Sequence, residues 1–360
     1  MKDLKIVFLN NSSWFLLSIF LIYSFLFFYN ITSIIPKTQQ LKEISKSASI
    51  IRDSLEQEDI TYMEKVETDL KNNPSFKKNY FIFVGVVFCG LGLGCIFLFL
   101  FILFRFLRIK VFKIEKVKIS EYLKFNILDL IKFLLIYGSF YCVVKYILLG
   151  ELLFFGGEEY DIKGFMGVNI CLAVIFMNLL PCWFLIRYIR NKYKQGIEYL
   201  GLEFSKITKK IFFGIVAYIT CYPLILFLLA GTFIITEFLK IKIPTHPIVP
   251  MILKDTSLAN ILLFVFIACI IGPITEEIFF RGLLYPVIKK RVGAVLAAVV
   301  SSALFACLHF NIPLVLSIFV LGLLFSYLYE RTGSLVSSIT VHILHNSLMV
   351  TIVLLIKLYL

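Results

Sequence analysis

Charge is what this 360-residue chain has least of: Asp, Glu, Lys and Arg together make up 16% of it, against roughly a quarter in soluble globular domains. With 60% hydrophobic residues and a mean hydropathy of +0.92, the solvent for most of the chain must be lipid. Paired cysteines are missing too. The eight cysteines, Cys89 to Cys307, lie in apolar stretches without a Cys-x-x-Cys pair, so neither a disulfide framework nor a structural zinc cluster is expected. Also missing is any basic domain interleaved with aromatics, so the formal charge of +13 reads as a membrane-topology signal and not as a nucleic-acid footprint. The absence of a visible internal repeat, or of matched broken helices, ranks a transporter last among the functions open to a membrane protein. Histidine is down to four copies, which narrows the search for chemistry.

Long apolar runs are present in abundance. A helical crossing needs about 20 mostly apolar residues, and nine stretches qualify: Trp14 to Ile34, Tyr80 to Phe104, Phe125 to Leu149, Gly164 to Leu185, Ile211 to Ile235, Leu258 to Ile288, Val292 to Phe310, Pro313 to Tyr329 and Ser334 to Ile356. The third carries Asp129, Lys132 and Lys145 and the eighth is short, so the expected fold is an all-α polytopic transmembrane bundle of eight or nine helices. Cys89-Gly-Leu-Gly-Leu-Gly-Cys95 resembles a phosphate loop only superficially. It sits inside an apolar run with no Lys-Ser/Thr ending, and close helix packing through Gly90 and Gly94 is the better reading.

Basic residues cluster in the loops after the second, fourth and sixth spans, with seven between Arg187 and Lys210 and the run Lys289-Lys290-Arg291. Those loops belong on the cytoplasmic side, which leaves the N-terminus inside and the acidic loop with Glu151, Glu158, Glu159 and Asp161 outside. The cell membrane is the expected location. The first span is read as a retained helix, because no small-x-small cleavage site follows it before Pro36. Three regions are expected. Residues 1–120 form an N-terminal two-helix region with an outer amphipathic segment at 36–79, marked by Leu41, Ile44, Ile51, Leu55, Met63, Val66 and Leu70. Residues 121–257 lead into the core, and 258–360 carry the chemistry.

An ionisable group in hydrocarbon costs several kcal/mol (about 3 on insertion scales), so a cluster of them within spans points to function. The sixth span holds Gly272-Pro-Ile-Thr-Glu276-Glu277-Ile-Phe-Phe-Arg281. Glu277 and Arg281 are four apart with the acid first, the favoured helical ion pair. Glu276 then lies about 100° around the helix, free for another partner. Phe305-x-x-x-His309 stands in the seventh span and His342-Ile-Leu-His345-Asn346 in the ninth. His342 and Asn346 share a helix face, His345 is given a structural role, and so is His246, flanked by prolines in an outer loop. At 1.5 Å per residue from each cytoplasmic flank, Glu276 lies at roughly 21 Å, His309 at roughly 27 Å, and His342 and Asn346 at roughly 16 and 22 Å. One slab of the membrane contains them all.

Glu276-Glu277-x-x-x-Arg281, Phe305-x-x-x-His309 and His342-x-x-x-Asn346, in this order on separate apolar helices, resemble the CPBP family of intramembrane proteases. That family includes the CAAX prenyl endopeptidases, which remove the last three residues of prenylated proteins, and bacterial members tied to bacteriocin processing and self-immunity. The resemblance covers about Leu258 to Ile356. It implies an endopeptidase acting on membrane-embedded or lipidated peptides: Glu276 and His309 activate a water, His342 and Asn346 stabilise the oxyanion, and Glu277 with Arg281 holds the first helix. No cofactor is favoured. Were zinc to be used, its ligands would be Glu276, His309 and His342. The competing reading is a non-proteolytic membrane immunity or scaffold protein that keeps the family pocket.

Overall fold

The computed structural model describes residues 61–66, 68–70, 72–75, 92–96, 99, 125–138, 162–240, 248–254, 257–309 and 314–358. The first expected span, Trp14 to Ile34, lies outside these residues, as do Gly90, the acidic loop from Glu151 to Asp161 and His246. Two compact units divide the chain, Met1–Thr68 and Asp69–Leu360. In the first, residues 61–66 are helical and Val66 is buried, which fits the amphipathic pattern there.

In the second unit, residues 127–138 are helical, followed by α1 (Ile162–Tyr193), a 3-10 turn (Ile197–Leu200), α2 (Ile207–Phe238), α3 (Ile248–Lys254), α4 (Leu258–Phe266), α5 (Gly272–Glu277), α6 (Tyr285–Cys307), α7 (Val315–Thr332) and α8 (Leu335–Lys357). No strand occurs among the described residues. α4, α5 and α6 run on without a loop, joined by two π-helical turns, Ile267–Ile271 and Ile278–Leu284. Four stretches among the described residues are long and apolar enough to cross a membrane: Ile207–Thr236, Leu258–Cys307, Val315–Thr332 and Leu335–Lys357. At 50 residues, the second would measure about 75 Å if straight, more than twice the hydrocarbon core. Gly293, at φ 80° and ψ 172°, breaks it in two. Only glycine adopts that conformation without strain, and the break falls at the second residue of the seventh expected span, close to its boundary with the sixth. Large apolar side chains such as Phe227, Phe238, Leu262 and Val295 stand outward and exposed, the surface a lipid solvent requires.

Each π turn lies just ahead of a proline. Pro273 and Pro286 carry no N–H, and in a regular helix their rings would collide with the carbonyls four residues back, at Cys269 and Gly282. Widening the turn at those places relieves the collision, and the segment left between the two wide turns is α5, which carries both glutamates. The remaining helices close around it. α6 and α7 approach until a Cβ on Gly322 would lie 2.9 Å from the Ser302 Cβ, and α2 meets α8 so closely that a Cβ on Gly214 would lie 2.8 Å from the Ser337 carbonyl oxygen. The expected packing role of Gly94 is realised against α2, where its Cβ would fall 2.5 Å from the Pro223 ring.

At the end of the bundle that carries the basic loops, the turn between α7 and α8 is tied to the loop before α2. Leu335 donates its N–H to the Gly201 carbonyl at 2.7 Å, Ser334 Oγ donates to the Glu203 carbonyl at 2.8 Å, and Lys289 pairs with Glu330 at 2.6 Å. These contacts fix the register of α8 against α2 and α7, and with it the height of His342.

Candidate active site

α5 and the π turn after it bring Glu276, Glu277 and Arg281 to the bundle interior. Glu277 and Arg281 are fully enclosed, and Arg281 Nη1 donates to Glu277 Oε1 at 2.9 Å. Its other arm, Nη2, donates to the Gly322 carbonyl of α7 at 2.9 Å. The guanidinium lies 4.8 Å from the centre of the Phe305 ring and 5.0 Å from that of Phe325, where each π face attracts the cation. A charge that could not survive alone in this interior is thereby held by one carboxylate, one carbonyl and two aromatic walls.

α8 inserts His342 between the two glutamates. Its Nδ1 is 3.3 Å from Glu277 Oε1 and its Nε2 is 3.6 Å from Glu276 Oε2. The imidazole stacks on Phe325, with centroids 4.9 Å apart and planes 24° from parallel, and meets Phe305 edge-on at 5.6 Å. Both rings that flank Arg281 therefore also fix His342. Glu276 differs from its neighbour: its side chain keeps 36% of its exposure, and its Oε2 is buried without a hydrogen-bond partner. An unsatisfied carboxylate oxygen facing an imidazole is chemically available.

His309, at the end of α6, has Nδ1 2.8 Å from the Phe305 carbonyl oxygen. A carbonyl only accepts, so Nδ1 carries the proton and Nε2 presents a lone pair. The Phe305 ring touches His309 edge-on at 4.7 Å, as it does His342. Asn346 donates Nδ2–H to the Ala268 carbonyl in the first π turn at 2.9 Å, anchoring α8 to the widened backbone. His345 sits apart from these bonds, with Nδ1 3.1 Å from the Tyr218 hydroxyl of α2.

Glu276, Glu277, Arg281 and His342 thus form one bonded cluster, with His309 joined to it through Phe305 and Asn346 bonded to the first π turn instead. Several participants escaped the sequence reading. Phe325 had no distinguishing mark among 38 phenylalanines, and Gly322 acts through a backbone carbonyl, which sequence does not label. Asn178 of α1, which accepts from the Thr275 hydroxyl at 3.0 Å, was visible only as a polar residue within an apolar run.

A zinc ion would take Glu276, His309 and His342 as its ligands. Among the described residues no group of three or more His, Cys, Asp or Glu is gathered so as to hold a metal ion. His342 faces a carboxylate at each ring nitrogen, whereas His309, with Nδ1 held by its own helix, keeps Nε2 open to a ligand. Glu276, His309 and His342 are thus not gathered as a ready-made zinc set among the described residues.

No curated protein and no solved structure matches this chain. Residues 258–348, the stretch from α4 into α8 that carries Glu276 through Asn346, match the family model described as Rce1-like, type II CAAX prenyl endopeptidase, a match consistent with a CPBP family intramembrane protease.

Proposed function

We propose that the protein is an intramembrane endopeptidase that hydrolyses peptide bonds of membrane-embedded or lipidated peptides, with Glu276 as the general base. The observation that carries this reading is the partnerless Glu276 Oε2, 3.6 Å from the Nε2 of a histidine that Glu277 and two aromatic rings hold rigid. Glu277 is fully enclosed and ion-paired with Arg281, whereas Glu276 has no cation of its own among the described residues and keeps 36% of its side-chain exposure, so a water can reach it.

In the reaction, Glu276 and the unprotonated Nε2 of His309 polarise a water. Its oxygen adds to the scissile carbonyl carbon while its proton passes to the Glu276 carboxylate. The carbonyl oxygen becomes an oxyanion, stabilised by N–H donors of α8, from His342 and Asn346. Collapse breaks the C–N bond as the proton moves from Glu276 to the leaving nitrogen. Carboxylic acid and free amine result, which ionise to carboxylate and ammonium, and Glu276 is restored. The basic loops at one end of the bundle support a cell-membrane orientation with the N-terminus in the cytoplasm.

The test is cleavage of a panel of membrane-anchored peptides, a farnesylated CAAX peptide among them, by purified protein in detergent. Wild type is compared with Glu276→Gln, each with and without a strong zinc chelator. Cleavage that requires Glu276 and survives the chelator is expected. Cleavage that the chelator abolishes would overturn the glutamate mechanism, and a wild type that binds the peptides but cuts none would favour the scaffold reading.

A further inference from the structure

The α8 side chains expected to donate to the oxyanion are largely engaged with acceptors of the protein itself. His342 faces a carboxylate at each ring nitrogen, and Asn346 spends an N–H on the Ala268 carbonyl. His345, on the same helix, is arranged differently. Its Nδ1 meets the hydroxyl of Tyr218, from α2, at 3.1 Å, and both side chains lie well inside the bundle.

The direction of that hydrogen bond follows from counting donors. A buried phenol proton needs an acceptor, and among the described residues the Tyr218 hydroxyl has one polar partner, His345 Nδ1. Tyr218 therefore donates, Nδ1 accepts, and a neutral ring must carry its proton on Nε2. That Nε2 has no hydrogen-bond partner among the described residues, yet it is absent from the fully buried polar atoms left unsatisfied, so it is not wholly enclosed. His345 lies three residues from His342 on α8, about 60° around the helix from it. An N–H donor of fixed tautomer thus stands beside the proposed catalytic cluster with no acceptor among the described residues.

We infer that His345 Nε2–H is a further donor to a carbonyl oxygen of the substrate peptide, and that Tyr218 is the positioning residue that fixes its tautomer. This rests on the endopeptidase reading above. It also gives α2, which lies outside the matched segment 258–348, a direct part in the chemistry.

Two measurements on the full-length protein in detergent test it. In 15N-histidine spectra, wild-type His345 is expected to show an unprotonated Nδ1, and Tyr218→Phe to shift it towards a mixture of tautomers. A protonated Nδ1 in wild type overturns the inference whatever the activity. In the peptide-cleavage assay, Tyr218→Phe is expected to lower kcat about 10-fold and His345→Leu about 100-fold, on the scale of losing one oxyanion donor, with KM changed less than about twofold. Both variants are expected to unfold thermally near wild type. Wild-type kcat in both overturns the donor role. A wild type that cuts no peptide overturns the endopeptidase reading and the donor role with it, while the spectra still decide what Tyr218 does.

Discussion

Among the described residues two carboxylates are almost wholly buried, Glu277 and Asp129, and their surroundings are completed in opposite ways. Asp129, in the helical stretch 127–138, spends both oxygens: Oδ1 accepts from Tyr188 and Lys192 at 2.5 Å each, and Oδ2 accepts from Tyr193 at 2.5 Å and from the Asn126 backbone at 3.0 Å. Around Glu277 the accounts stay open. Its Oε1 is shared by Arg281 and His342, while its Oε2, the Oε2 of Glu276 and the Nε of Arg281 have no partner. A cluster that exists to tie helices together uses all its hydrogen-bonding capacity, because each unused buried group costs roughly 1–3 kcal/mol. A cluster that must receive a substrate leaves capacity over, and stability supplied by the rest of the bundle covers that cost.

Substitutions can break this contrast, and the largest effect is expected at Arg281. Arg281→Met leaves Glu277 as an unpaired charge in a dry interior, which costs about 3–5 kcal/mol. Thermal unfolding in detergent should register a marked drop, with cleavage lost as well; an unchanged unfolding temperature would mean that the pair does not hold the bundle. Glu276→Gln should separate function from stability, since the Oε2 it alters has no partner to lose. A fall in cleavage of about 100-fold or more with the unfolding temperature near wild type is the expected pattern, and a large stability loss would place Glu276 in the structural class with Asp129.

Gly322→Ala probes the shared wall. The new methyl would meet Ser302 at 2.9–3.1 Å, its Cα included, so α6 and α7 must part and the carbonyl that receives Arg281 must move with them. Overpacking of this kind costs about 1–3 kcal/mol, and cleavage should fall in parallel. Lys192→Met should do least, below about 1 kcal/mol. The ammonium is 37% exposed, and Asp129 keeps its two tyrosine hydroxyls and the Asn126 amide. Equal cleavage rates for Lys192→Met and wild type would confirm that the Asp129 cluster is structural; a loss of cleavage would merge the two regions into one functional unit.

Legibility from sequence followed the same division. The runs Ile211 to Ile235, Pro313 to Tyr329 and Ser334 to Ile356 match α2, α7 and α8 to within a few residues, because an apolar stretch of membrane length has no other stable state in lipid. The Glu277–Arg281 pair was readable because both residues lie on one helix at the favoured spacing. The partnership of His342 with both glutamates was readable only as a shared depth. The roles of Phe325, Gly322 and Tyr218 were not readable at all: each acts across helices whose rotation about their axes no hydrophobic run specifies in an all-round apolar span. Asn346 illustrates the same limit, since its helix face was evident and its acceptor, Ala268 O, exists in that position only because the backbone widens ahead of Pro273.

The sequence by itself determined that the chain lives in a membrane, where its helices lie, and which ionisable residues are too costly to be there without a purpose, because hydropathy and short-range helical spacing are local quantities. Tertiary structure alone decided which carboxylate oxygen stays unpaired, which rings hold Arg281 and His342, and which hydroxyl sets His345. Those outcomes depend on how α2, α5, α6, α7 and α8 pack side by side, and a hydrogen bond between helices is satisfied or left open by ångström-scale distances that no single segment encodes.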